Sequence, residues 1–418
     1  MWNSDALVDR LNEVWYRSGQ KRKAPPSNKG KGKKKKKTEI KNLVALLRSG
    51  DANGKANAAG ALVDLAVNAD NRFTITQAGA ILPLVALLGS EDANGKANAA
   101  GALWNLAIDA NNHLTIAQHG AIPPLVALLG SEDANVNANA AGALSNLAVN
   151  ANNQRTIVQD GAIYPLVALL GSGGKNGKAN AAGALMNLAK HANNIFTIAQ
   201  AGAIPPLVAL VESGDAAGKA NAAGALWGLA IIADNQVAIA REGAIPYLVT
   251  LLMSGDAKGK ANAAGALWNL AINADNQLTI RRASAIDPLV VLLGSEDATG
   301  KANAAGALWS LASNALNRIF IAQAGAIPHL VALLASGDAA GKTNATCALL
   351  NLSYDAGIRN KISRAGAIPH LVSLARKNDT NAINVLEQLR MNHNQRDKIN
   401  HYFRISDAVH KLFTYPRP

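Results

Sequence analysis

The dipeptide Gly-Ala, usually inside a string of the type AGAIPPLVALL, returns every 41 residues along almost the whole chain. Its glycine falls at Gly79, Gly120, Gly161, Gly202, Gly243, Gly325 and Gly366, and Ser284 fills the one gap on the same grid. A period of about 40–47 residues is the mark of stacked helical units. Length alone would suggest two or three globular domains, but an array is one continuous object whose core is shared between neighbours. Such arrays present long surfaces, so a binding role is expected rather than a catalytic pocket.

The unit beginning at Asn112 shows how the local signals divide. Asn112 is placed to cap a short helix, HLTIAQH, which Gly120 ends in a left-handed turn. Pro123 and Pro124 open a second helix, where a missing N–H costs nothing, and Gly130 and Ser131 break it. Asp133 stands where it can cap a third, longer helix, NVNANAAGALSNLAV, with Leu144 and Leu147 on one face. The sequence predicts an all-α chain of three-helix units. Hydrophobic residues make up 49% and aromatics only 4%, so the core must be Leu, Ile, Val and Ala. That suits thin helical layers better than stacked sheets.

Other function classes are disfavoured. Cys347 is the single cysteine, so neither a disulfide framework nor a Cys-based metal site is expected, and no cofactor motif occurs. The string Gly337–Thr343 resembles a phosphate loop but has three residues between its glycines where four are required. The eight histidines show no metal-ligand spacing, and no nucleophile elbow occurs, so no enzyme activity is expected. Apolar runs fall short of the about 18 residues of a membrane span. Asp5, Asp9 and Glu13 suit neither a secretory signal nor a transit peptide, and Trp2 excludes N-myristoylation. The expected setting is cytoplasm and/or nucleus, and the expected state a monomer.

The net charge of +13 is unevenly placed, since residues 21–41 contribute +10 of it. Four segments are expected: an amphipathic helix over 1–18 (Leu7, Leu11, Val14 and Trp15 on one face), a disordered Lys-rich linker over 19–37, the array over 38–413 and a tail over 414–418. Lys21, Arg22 and Lys23, then Lys33, Lys34, Lys35, Lys36 and Lys37, have the spacing of a bipartite nuclear-localisation signal. The same tail could bind nucleic acid or an acidic membrane, or fold back onto the array.

The segments N…I..AGAIPPLV and AAGALWNLA, at fixed spacing in eight successive copies, resemble the armadillo repeat over roughly residues 38–413. The motif string is most similar to the yeast vacuolar armadillo scaffold and plant armadillo proteins, and more distantly to importin-α and β-catenin. The resemblance implies a right-handed superhelix of about nine repeats, with third helices lining a concave groove. It also implies atypical ends: the first unit lacks its short helix, and a ninth third helix, Asn381–Leu389, is off register.

Setting the copies in register exposes candidate site residues. One row is Asn in all eight: Asn57, Asn98, Asn139, Asn180, Asn221, Asn262, Asn303 and Asn344. Seven residues later, on the same helix face, a second row reads Asp64, Asn105, Asn146, Asn187, Gly228, Asn269, Ser310 and Asn351. Between them lie Gly60, Gly101, Gly142, Gly183, Gly224, Gly265 and Gly306, then Cys347. By the resemblance, these rows floor the groove and pair with the backbone of an extended peptide, the glycines letting it approach. The alternative is that the carboxamides bind neighbouring helices and glycine permits tight contact between repeats.

Importin-α-like proteins carry a Trp four residues before the groove Asn. Here Trp104, Trp227, Trp268 and Trp309 stand one residue before it, which points to packing between repeats or to a groove rim. Groove acids are missing too, because Asp51, Asp92, Asp133, Asp215, Asp256, Asp297 and Asp338 belong to the preceding loops. A lysine row (Lys55, Lys96, Lys178, Lys219, Lys260, Lys301 and Lys342) is expected as a solvated ridge. The expected function is a non-enzymatic protein-interaction scaffold for an extended partner segment. The rival is an importin-α-like adaptor for basic signals.

Overall fold

The computed structural model describes residues 29–391 and 395–402. The segments expected over 1–18 and 414–418 lie outside the described residues, as do residues 19–28. Among the described residues every regular element is helical. The first helix, Lys29–Ser49, begins nine residues ahead of the expected start of the array at Thr38, so the lysine run belongs to a helix rather than to a linker. Lysine is a good helix former, and no proline follows Pro26 to stop the helix growing toward the N-terminus.

Triplets then repeat, as in Ala134–Leu147 after His113–Gln118 and Ile122–Leu128. The turn between short and second helix is made by the grid glycine, with φ between +76° and +84° in all seven cases. In four units the two helices meet there at 84–87°. Pro123 and Pro124 occupy the first turn of Ile122–Leu128 as expected. Asp133 caps Ala134–Leu147 by accepting from the amides of Asn135 and Val136.

Asn112 does not cap its short helix. Asp109 does, through a 3-10 turn over Ala110–Asn112, accepting from the amide of Asn111. The buried Asn112 turns back and donates to the carbonyl of Leu106 at 2.9 Å. The expected N-cap therefore lies three residues too late, because a 3-10 turn precedes the α-helix.

The core is a continuous column of alanine and leucine. Third helices pack chiefly on one another, and Ala99, Ala100, Leu103 and Leu106 with their equivalents are wholly buried, apart from the partly buried Leu65 of the first unit. Alanine lets the helix axes approach, and leucine fills the space beneath the second helices. The array closes with Ala356–Arg364, Ala367–Ala375 and Thr380–Arg390, the last covering the off-register helix expected at Asn381–Leu389. No single helix among the described residues is long and apolar enough to cross a membrane.

Candidate partner-binding groove

The Asn rows lie on the face where third helices meet, and each carboxamide nitrogen is committed to the unit before it. In the first row, Asn98 donates to the carbonyl of Ala56 (3.0 Å), Asn139 to Ala97 (2.9 Å), Asn180 to Ala138 (2.9 Å) and Asn221 to Ala179 (2.8 Å). Asn262, Asn303 and Asn344 continue to Ala220 (2.8 Å), Ala261 (2.9 Å) and Ala302 (2.9 Å). The second row repeats the arrangement. Asn105 donates to Val63 (3.0 Å), Asn146 to Trp104 (3.1 Å), Asn187 to Ser145 (2.9 Å), Asn269 to Trp227 (3.0 Å) and Asn351 to Trp309 (3.0 Å). Every bond spans 42 residues, one period and one residue more. A helical carbonyl already bonded within its helix has a second lone pair, and these bonds use it.

Asn57 and Asp64, in the first third helix, are both exposed. Gly228 and Ser310 interrupt the second row. At Gly228 a Cβ would stand 2.8 Å from that of Ala189.

The glycine row and the tryptophan row explain each other. A Cβ on Gly142 would stand 2.7 Å from Cδ2 of Trp104, and one on Gly265 2.5 Å from Cδ2 of Trp227. Trp268 covers Gly306 in the same way, and its ring centroid is 6.3 Å from that of Trp309. Trp104, Trp227 and Trp268 thus each lie across the glycine of the next unit. Where the row has Met186, its sulfur crosses Gly224 and comes within 3.9 Å of Nδ2 of Asn262, two units away. On this face Met186 thus reaches past one third helix to the next. In the last copy, Cys347 replaces glycine and its Sγ lies 3.2 Å from Nδ2 of Asn381. Burial raises the Cys347 thiol above its ordinary value, with the charge of Asp379 adding to it.

Carboxamide oxygens remain for a ligand. Among the described residues only one ladder oxygen has a protein partner, that of Asn221, which accepts from Nζ of Lys258 at 2.7 Å. Beside the second row, at the end of the same face, runs an exposed apolar edge of Ile108, Val149, Ile231, Ile272 and Tyr354. An extended chain lying here would meet hydrogen-bond acceptors along its backbone and apolar surface at one side.

Other candidates fall elsewhere. The aspartates Asp51, Asp92, Asp133, Asp215, Asp256, Asp297 and Asp338 cap third helices, as their place in the loops suggested. The lysine row is half-buried rather than fully solvated, and Lys219 donates to the carbonyl of Glu212 at 2.8 Å. Its stems lie along the helix flanks while the ammonium groups reach outward. Lys33 to Lys37 sit on the first helix, with Lys35, Lys36 and Lys37 exposed and Lys36 3.6 Å from Glu39. Lys21, Arg22 and Lys23 lie outside the described residues. No group of three or more metal-ligating side chains occurs among the described residues.

A third asparagine row, the N of the N…I..AGAIPPLV segment, entered the sequence reading only as a helix cap at Asn112. Asn71, Asn112, Asn153, Asn194, Asn235, Asn276 and Asn317 each donate to a leucine carbonyl six residues earlier, at 2.9–3.2 Å. They staple each short helix to the end of the third helix before it. The signal was available, since the row stands out as soon as the copies are set in register.

The model of the Armadillo/beta-catenin-like repeat family matches residues 68–108, 111–149, 191–231, 233–272, 273–313 and 314–354, more than half of the chain. No curated protein matches the sequence. Among solved structures, an engineered protein (Northeast Structural Genomics Consortium target OR497) is 32% identical with a TM-score of 0.72, over 90% of this chain and 95% of that one. A second engineered protein, target OR329, is 34% identical over 56% of this chain and 96% of its own, with a TM-score of 0.51. The designed armadillo repeat protein YIII(Dq)4CqI is 29% identical over 55% of this chain and 99% of its own, also with a TM-score of 0.51.

Proposed function

The chain belongs to the armadillo/beta-catenin-like repeat family, and we propose on that footing that it is a protein-interaction scaffold holding an extended partner segment along its concave face. The observation that carries this reading is the ladder of carboxamide oxygens. Each Asn nitrogen bonds the preceding unit, which fixes the side-chain rotamer and leaves the oxygen as an oriented acceptor. A peptide backbone supplies N–H donors at regular intervals, and an extended one leaves them unpaired. Preorganised acceptors reduce the ordering cost of binding. The partner's apolar side chains would rest on the edge formed by Ile108, Val149, Ile231 and Ile272.

The test is a selection of displayed random peptides, about 12 residues long, on the full chain, followed by photo-crosslinking of the selected peptides. A crosslinker replacing Ile272, on the groove edge, should capture them. One replacing Tyr164, exposed on a second helix, should not. Capture from Tyr164 alone would sink the groove reading. Selection of Lys-rich peptides with steep salt dependence would turn the reading toward an adaptor for basic signals.

A further inference from the structure

The front of the array carries apolar positions that no described residue covers. In the helix Lys29–Ser49, Leu43 and Leu46 stand on the 41-residue grid with Leu84 and Leu87 of the next unit. Leu84, Leu125 and the further equivalents as far as Leu371 are wholly buried, and those from Leu87 to Leu333 are 3–8% exposed. Leu43 is only half-buried, and Leu46 is 40% exposed. The first third helix, Ala52–Ala66, repeats the difference: Ala61 and Leu65 are half-buried where Ala102 and Leu106 are closed off. In later units the preceding unit lies on these side chains, and the first unit has no predecessor among the described residues.

A terminal unit left to water is polar on its outer face. This one is polar over only part of it. Lys35, Thr38, Glu39 and Asn42 follow helical spacing and run into Leu43 and Leu46, the six lining one open hollow along the helix. The polar half is at home in solvent. The leucine half, with Ala61 and Leu65 beside it, is not.

The chain itself supplies a cover of matching character. Within residues 1–18, Leu7, Leu11, Val14 and Trp15 share one helical face, and Asp5, Asp9 and Glu13 share the opposite one. That is the composition of a helix laid on an apolar surface with its acids outward. Leu46 lies about 26 Å along its helix from Lys29, and the stretch 19–28 can span up to about 33 Å. The tether is long enough to return residues 1–18 to Leu46. It is also short enough to give them a high effective concentration there, which a second copy of the chain would have to overcome.

We propose that residues 1–18 dock as an amphipathic helix on the front face of the first unit, with Leu7, Leu11, Val14 and Trp15 covering Leu43, Leu46, Ala61 and Leu65. The segment takes the place of the preceding unit that the array lacks. Docking anchors the chain on both sides of the basic stretch 21–37, so its lysines are presented from the end of the array rather than from a free arm. It is independent of what the groove binds.

The experiment uses the full chain with a photo-crosslinker replacing Leu46, irradiated in dilute solution and mapped by proteolysis and mass spectrometry. The expected product joins position 46 to residues 1–18 and migrates as a monomer. A crosslinker replacing Val291, exposed on a second helix, should not capture that segment. Products joining two chains, or none involving residues 1–18, overturn the proposal. Amide hydrogen exchange in the helix Lys29–Ser49 gives a second readout. Leu11→Gln and Leu46→Gln should each speed it about tenfold, and the two together no more than either alone. Leu11→Gln alters no residue of the array, so its effect there reports docking rather than a weakened fold. Unchanged exchange in Leu11→Gln, or effects of the two substitutions that multiply, overturn the proposal.

Discussion

Trp104 lies across Gly142 of the next unit, so close that a Cβ on the glycine would stand 2.7 Å from the indole Cδ2. Replacing Gly142 by Ala therefore opposes two effects. Alanine favours the helix by about 1 kcal/mol, while overpacking against a rigid ring and the neighbouring Asn180 costs about 1–3 kcal/mol. A net loss is expected, seen as a lower midpoint in urea unfolding. Gly101→Ala meets only Asn139 at 3.2 Å and Val63 at 3.4 Å, and should leave the midpoint unchanged or raise it. Equal behaviour of the two variants would contradict the part assigned to the indole.

The ladder bonds are expected to contribute to stability one by one. Asn303, 5% exposed, donates to the carbonyl of Ala261, so Asn303→Ala should cost about 1 kcal/mol. Asn57 is in the same row but exposed, and Asn57→Ala should change stability by less than about 0.5 kcal/mol. The pair is compared by apparent unfolding midpoints, because long arrays need not unfold in two states. A loss at Asn57 as large as at Asn303 would contradict the assignment.

Ser284 occupies the grid position that glycine fills elsewhere, with φ of 60°. A side chain in the left-handed region costs roughly 1 kcal/mol, partly offset by the entropy glycine adds to the unfolded chain. Ser284→Gly should raise the thermal midpoint, and Gly243→Ser should lower it. A fall in the Ser284→Gly variant would refute the strain at this turn.

Gly174 stands where every other third helix from the first unit to the last is capped by aspartate, and it makes no side-chain cap. Its backbone, φ −65° and ψ 173°, matches that of the capping Asp51 and Asp215, and a Cβ added there would meet no atom within 4 Å. Gly174→Asp should add about 0.5–1 kcal/mol through the cap and a stiffer unfolded chain. The check is the thermal midpoint at neutral pH and again near pH ~3, where protonation of the new carboxylate should remove the part of the gain that depends on its charge.

The architecture was readable because each part of it depends on local chemistry repeated many times. Glycine at Gly120 is required by a left-handed turn, proline at Pro123 by a helix start, and aspartate at Asp133 by orphan amides. The site was readable only in outline. A row of asparagines announces itself, but a carboxamide has two ends, and the sequence does not say which faces the neighbouring unit. That needed the distance from Asn146 to the carbonyl of Trp104. Asn112 was misassigned for a related reason: as a type it suits a cap, and only the geometry shows it bonded to Leu106. The helix over residues 29–37 was missed because its composition favours solvent while its lysines still favour helix.

The 42-residue bonds also bear on how a chain of this kind can change length. Every donor belongs to the later unit and every acceptor to the earlier one, so in the first row each junction is chemically equivalent to the next. Excising one whole period brings a new donor opposite an equivalent carbonyl, and duplicating one does the same. The array can therefore gain or lose units by recombination between its own copies without leaving a mismatched joint.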